Sequence, residues 1–210
     1  MQALQVTIAV AVIAAVIATI LGTLAAIGIY SMKRRPQSVM MTLTNIPMTM
    51  PDIVTGISLM LLFLFTKVER GLITMIMAHI TFNTPYVILS VMPKLKQTDS
   101  SLRDAAMDLG CTPLQAFFKV TLHEIAPGIV SGAIMAFTMS LDDFVISYFV
   151  SGLDFVTLPV EIYSYTKKPL HPKIYALFTL LFLLILVLMV TMNLIQLRGD
   201  KKRAAAHSGV

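Results

Sequence analysis

Among the polar side chains within mainly apolar stretches, five stand out as candidates for chemistry: Asp52, His79, Asn83, Asp142 and Asp143. A carboxylate in hydrocarbon is costly unless it faces a cavity or a partner, so each is a candidate for a passage through the apolar layer. His79 and Asn83 stand at i and i+4, which puts them on one helix face. Three carboxylates with no basic residue among them favour a cationic passenger. The remaining chemistry is sparse. The four His are scattered, and no His, Cys or carboxylate spacing suggests a metal site. No Gly-Lys phosphate loop is present, so the chain is not expected to hydrolyse ATP itself. The expectation is a chain with no catalytic set, no metal and no cofactor. The fifteen Met read as packing material. Cys111, the single cysteine, has no partner for an intrachain disulfide.

Composition names the elements that must hold these groups. Of 210 residues, 57% are hydrophobic and 13% charged, with a mean hydropathy of +0.82. Soluble domains carry about 25% charged residues, which excludes an ordinary water-soluble enzyme. Disorder needs low hydrophobicity and is excluded too. The net charge of +5 fits basic loops facing an anionic inner leaflet better than nucleic acid, which is not expected as a partner. About 20 apolar residues cross a bilayer as helix, and five runs qualify: Leu4 to Tyr30, Ser38 to Thr66, Gly71 to Met92, Ile125 to Val150, and Ile174 to Leu197. Such segments must satisfy their own backbone, so the fold class is all-α, a polytopic membrane protein. Residues 2–197 form the transmembrane domain and 198–210 a basic tail. The first run is too long for a signal peptide, and its basic cluster follows rather than precedes it.

Basic residues set the orientation. Loops taken alternately carry eleven Lys or Arg on one side, from Lys33, Arg34 and Arg35 through Lys94, Lys96, Arg103 and Lys119 to Arg198, Lys201, Lys202 and Arg203. The other side carries five: Lys67, Arg70, Lys167, Lys168 and Lys173. The first set is expected in the cytoplasm, with the C-terminus inside. An outside N-terminus with Met1 almost at the first span suggests a further helix upstream, although a five-span protein meets the same count.

At about 1.5 Å per residue, Asp52 lies about 21 Å and Asp142 about 25 Å from the cytoplasmic entry, while His79 and Asn83 lie about 12 and 18 Å from the outer edge. The groups therefore gather from the midplane outward. Asp142 and Asp143 are 100° apart on a helix, so one of them faces the passage and the other is structural, or both cap the outer end of the span near water. Pro47 and Pro51 each free a carbonyl and bend the helix beside Asp52. The bend makes room for polar groups, or is an ordinary kink. The loop from Ser151 to Lys173 reads as a connector with a short helix ending near Thr166, able to close the outer mouth.

The segment between Pro93 and Glu124 is too polar to span. Ser101 to Asp104 reads as a helix start, and Leu102, Ala105, Ala106 and Leu109 form one apolar stripe. Gly110 supplies a left-handed stop. Thr112 caps a second short helix with Pro113 at its first position, and Leu114, Phe117 and Phe118 give that helix an apolar face. Such a pair docks on a partner protein or rests on lipid.

This segment resembles the EAA loop of permeases of type I ABC importers. That pattern is Glu-Ala-Ala, three residues, Gly, nine residues, then Ile-x-Leu-Pro. Here Asp104-Ala105-Ala106 is followed after three residues by Gly110, and nine residues later by Val120-Thr121-Leu122-His123. Asp104 replaces Glu and keeps the charge. His123 replaces Pro and leaves the exit from the second helix less rigid. The stretches PMTMPDIVTGISLMLLF, HITFNTPYVILSV and FTMSLDDFVISYFVSG resemble the spermidine/putrescine branch of these permeases.

The resemblance implies six spans rather than five. It also implies cytoplasmic ATPase subunits contacted through Asp104, Ala105, Ala106, Leu109 and Gly110, a second permease subunit, an external substrate-binding protein, and a place in the cell inner membrane. A polyamine suits three carboxylates, its ammonium groups pairing with acids and its methylenes tolerating apolar walls. An iron or anion permease of the same type is the alternative within the class. An ion-coupled secondary transporter using Asp52, Asp142 and His79 is a second alternative, whose signature of inverted repeats is not evident. An intramembrane hydrolase lacks a paired catalytic set.

Overall fold

The computed structural model describes residues 2–152 and 155–167 and positions 179, 183 and 186. Two compact units divide the chain, residues 1–162 and 163–210. Among the described residues the structure is helical, without strands.

The first helix, α1 (Gln2–Tyr30), is apolar all round. Its buried positions include Ala11, Ala14, Ala15, Ala18, Gly22 and Ala26, a stripe of small residues on one face. Two of its hydroxyls bond within the helix, Thr7 to the Ala3 carbonyl at 2.9 Å and Thr19 to that of Ala15 at 2.6 Å, as an apolar surround favours. The Thr23 Oγ1, by contrast, is buried without a partner among the described residues. The small face packs on α4 (Leu72–Gln97) and α7 (Leu122–Asp142), and these three helices make the core. Between lipid-facing helices the attraction is close packing rather than expulsion of water. Val87 of α4 shows how close: a Cβ built on Gly22 of α1 stands 2.6 Å from the Val87 Cβ, and one on Gly132 of α7 stands 3.2 Å from the Val87 Cα.

The second apolar run departs from a straight span. It forms α2 (Arg34–Thr49) and α3 (Asp52–Phe65), bent by 100° at Met50 and Pro51. Proline drives the residue before it out of the α region, and Met50 is extended at φ −78° and ψ 141°. Asp52 is therefore the first residue of a new helix, and the 21 Å depth expected from one straight helix does not apply. The fourth run departs likewise. α7 ends at Asp142, and a six-residue helix α8 (Val145–Val150) follows after a break. α8 packs on α3, where a Cβ on Gly56 would stand 2.9 Å from the Phe149 ring.

Three described helices are long and apolar enough to cross a membrane: Gln2–Tyr30, Leu72–Gln97 and Pro113–Asp142. The bent α2–α3 pair is a fourth if it counts as one span. Apart from positions 179, 183 and 186, the fifth expected span, 174–197, lies outside the described residues, as does the tail 198–210.

Candidate functional site

Two regions hold the candidate residues. The first is a cleft of about 260 Å3 between α3, α4, α7 and α8, lined by Asp52, Asp142 and Asp143 with Thr55, Phe82, Tyr86, Phe144 and neighbouring apolar residues. The two helix breaks create it. The bend at Pro51 puts Asp52 at the start of α3, and the break after Asp142 puts both acids where the chain leaves α7. Asp52 and Asp142 are exposed, and neither has a hydrogen-bond or ion-pair partner among the described residues. Among the described residues no Lys or Arg lines the cleft.

Asp143 is used differently. One carboxyl oxygen accepts from the Ile146 N–H at 3.2 Å and the other from the Ser147 N–H at 2.7 Å. It thereby serves the first turn of α8, whose N–H groups have no partners within the helix. Of the acidic pair, Asp142 is open to the cleft and Asp143 holds the break. The Tyr86, Phe82 and Phe144 rings add faces that attract cations as well as methylenes.

His79 and Asn83 do not line this cleft. Both are fully buried on the face of α4 turned to α7 and α8. The His79 Nε2 is 3.0 Å from the Ser147 Oγ and 3.6 Å from the Asp143 Oδ2, and the Asn83 amide donates to the Ser140 Oγ at 2.7 Å. Sequence reasoning did not single out these serines, nor Tyr86, Phe82 and Phe144. Their signal was position: Ser140 and Ser147 flank the acidic pair, and Tyr86 lies one turn beyond Phe82 on the same face.

The second region is the corner between α5 (Ser100–Asp108) and α6 (Pro113–Ala116). Asp99, rather than Ser101, caps α5, accepting from the Ser101 N–H at 2.9 Å. That backbone hydrogen bond holds the Asp99 carboxyl below its usual range. Gly110 has φ +87°. Around it the Gly110 N–H bonds the Met107 carbonyl at 2.9 Å and the Cys111 N–H the Ala106 carbonyl at 3.1 Å, which is a Schellman stop. Thr112 and Gln115 form a reciprocal cap before Pro113, at 3.3 and 3.0 Å.

The second helix does not end where a separate short helix would. It passes through a π-turn at Phe117–Thr121 straight into α7. His123 stands in this continuous helix where the family pattern has Pro, and Pro127 one turn on is also accommodated within it. Apolar side chains of the corner lie outside: Leu109 is 88% and Leu114 69% exposed, with Leu102 and Phe118 also uncovered. Asp104 and Ala105 are exposed and Ala106 half-buried.

The family model described as the binding-protein-dependent transport system inner membrane component matches residues 18–203. The chain belongs to this family. It is therefore a membrane-embedded transport component, and its helical, multi-span architecture is that of a permease. Among curated proteins it is similar to the putrescine transport system permease protein PotI of Escherichia coli strain K12, with 40% identity over 188 residues, 86% of this chain and 67% of the relative. It is also similar to two spermidine/putrescine transport system permease proteins PotC. That of Haemophilus influenzae is 37% identical over 200 residues, 95% of this chain and 78% of the relative. That of Escherichia coli strain K12 is 35% identical over 195 residues, 93% and 74%.

Proposed function

We propose that this permease carries polyamines inward through the cleft between α3 and α7–α8, as a subunit of an ATP-driven importer. The observation that carries the reading is the meeting of Asp52, Asp142 and Asp143 in one cleft with aromatic walls and, among the described residues, no basic one. An ammonium leaving water needs an anion or an aromatic face in exchange for its hydration. A methylene spacer needs an apolar wall. An anionic passenger would meet the free carboxyl groups of Asp52 and Asp142 there, so an anion permease is disfavoured. The PotI and PotC relatives, named for putrescine and spermidine transport, support the same passenger.

ATP hydrolysis belongs, in this proposal, to separate cytoplasmic subunits docked on the corner of Asp104, Ala105, Ala106, Leu109 and Gly110. The uncovered Leu109 and Leu114 support this, because apolar side chains at such exposure favour a protein partner. Movement of the corner passes along the continuous helix from Pro113 to Asp142 and reaches the break beside Asp142. The cleft then opens alternately to the two sides. A second permease subunit and an external substrate-binding protein complete the importer. It sits in the cell inner membrane with the corner and the C-terminus in the cytoplasm, following the excess of basic residues.

The test is uptake of radiolabelled putrescine and spermidine per unit of inserted permease in the assembled transporter. Asp52→Asn and Asp142→Asn each lower uptake about ten-fold, the effect of one lost charge-assisted contact. Wild-type uptake in both variants contradicts the cleft as the passage.

A further inference from the structure

Three hydrogen bonds run as rungs between α4 and the antiparallel α7–α8 segment. The Thr74 hydroxyl lies 3.0 Å from the Val150 carbonyl, the His79 Nε2 3.0 Å from the Ser147 Oγ, and the Asn83 amide 2.7 Å from the Ser140 Oγ. Numbers rise on α4 as they fall on its partner. The Ser140 rung lies before the break that follows Asp142, and the Ser147 rung lies after it.

We propose that His79 and Asn83 are positioning residues, which never meet the passenger but clamp the α7–α8 break from both sides so that the Asp142 carboxyl is held in the cleft. The proposal rests on the reading of the cleft as the passage.

The break needs such support. The last carbonyls of α7 and the first N–H groups of α8 have no partners within their helices, and lipid supplies none. A helix of six residues does not hold itself. Asp143 answers two of those N–H groups, yet the direction of the chain at Asp142 still depends on soft backbone dihedrals. Two buried side chains one helical turn apart, each gripping a serine on a different side of the break, remove that freedom.

Packing alone does not account for the pair. The His79 Nδ1 and the Asn83 Oδ1 are buried without a hydrogen-bond partner among the described residues, and an unpaired buried polar atom is destabilising. Apolar side chains would fill the same space without that cost. Direct contact with the passenger does not account for it either, since both residues are fully buried behind the cleft wall.

The test uses a cysteine reporter in the assembled transporter in lipid vesicles, with Cys111→Ser and Asp142→Cys. A cationic methanethiosulfonate reagent reads how open position 142 is to the cleft. Asn83→Leu and His79→Leu each change the modification rate about ten-fold, the scale of one lost buried hydrogen bond. His79→Gln, whose amide nitrogen reaches the Nε2 position, keeps the rate within about two-fold of the parent. A purely structural loss would lower the inserted amount without this rescue. If a leucine variant fails to insert, Ser140→Ala and Ser147→Ala, which each remove one hydroxyl, carry the same expectation.

Unchanged rates in correctly inserted variants overturn the proposal, and so does an equal effect of His79→Gln and His79→Leu. The passage reading is tested apart, by polyamine uptake in Asp52→Asn and Asp142→Asn with positions 79 and 83 intact, whereas rates insensitive to positions 79, 83, 140 and 147 overturn the clamp alone.

Discussion

The cleft and the cytoplasmic corner are built on opposite plans. At the cleft, polar side chains bond to other parts of the chain: Asp143 to two N–H groups of α8, Asn83 to Ser140, and His79 to Ser147, although the His79 Nδ1 and the Asn83 Oδ1 have no partner among the described residues. At the corner the backbone is fixed with equal care, by the Schellman stop at Gly110 and the cap at Thr112, but the side chains end in the open. A region that closes on itself and leaves two free carboxylates is suited to a small charged visitor. A region with a rigid backbone and uncovered leucines is suited to a large partner. On the proposed function, the difference separates where the passenger is met from where the driving motion arrives.

The largest effect is expected at the corner. Gly110→Val puts a β-branched residue at φ +87°, a conformation such residues avoid. It should abolish uptake and substrate-stimulated ATP hydrolysis and lower the inserted amount far less, because the strain falls on an exposed corner rather than on the packed helices. Normal stimulated hydrolysis in this variant would break the comparison at once. Leu109→Ser follows. It should lower stimulated hydrolysis several-fold with little loss of inserted protein, since an 88% exposed side chain contributes little to the fold of this subunit.

The acidic pair sharpens the other side. Asp143→Asn leaves a single acceptor oxygen for two α8 N–H groups, and losing such a cap costs about 1 kcal/mol. Its main effect should therefore be on the amount of inserted protein, read by quantitative immunoblot, with uptake per molecule reduced less than in Asp142→Asn. Equal loss per molecule in the two variants would show that Asp143 also meets the passenger.

The smallest effect is expected at Asp99. Asp99→Ala removes the α5 cap and should lower uptake by less than about two-fold. The cap bond depresses the Asp99 carboxyl, so its contribution is present above the ordinary carboxylate range and is lost as pH falls through the lowered value. Uptake at mildly acidic pH should thus be unaffected by this group.

How far the sequence reveals this arrangement depends on what terminates each helix. Gly110, Thr112 and Pro113 act through their own backbone or the nearest N–H groups, so the turn of the corner was legible, whereas the Asp99 cap and the run of the second helix into α7 were not. α1 was legible because nothing in it competes with a helix. The bend at Pro51 was legible as a kink but not as a turn of 100°, since proline determines where a helix breaks and packing on α8 determines where the chain goes next. The break after Asp142 carries neither proline nor glycine. Its signal, Asp143 ahead of the apolar run from Phe144 to Val150, has the form of a helix cap inside what reads as one continuous span.

His79 and Asn83 were legible as polar groups sharing a face, but the i, i+4 spacing cannot tell a face turned to a cavity from one turned to the serines of a neighbouring helix. Asp52, Asp142 and Asp143 were legible as candidates because charge in an apolar run needs a reason. Their meeting in one cleft required both breaks.

The most direct test of the division between visitor site and drive site measures polyamine uptake and ATP hydrolysis together, in the same vesicles, for Asp142→Asn and Gly110→Val. Asp142→Asn should lose uptake about ten-fold and retain ATP hydrolysis stimulated by the loaded binding protein, whereas Gly110→Val should lose both. Wild-type uptake in Asp142→Asn, or retained hydrolysis in Gly110→Val, would contradict the account.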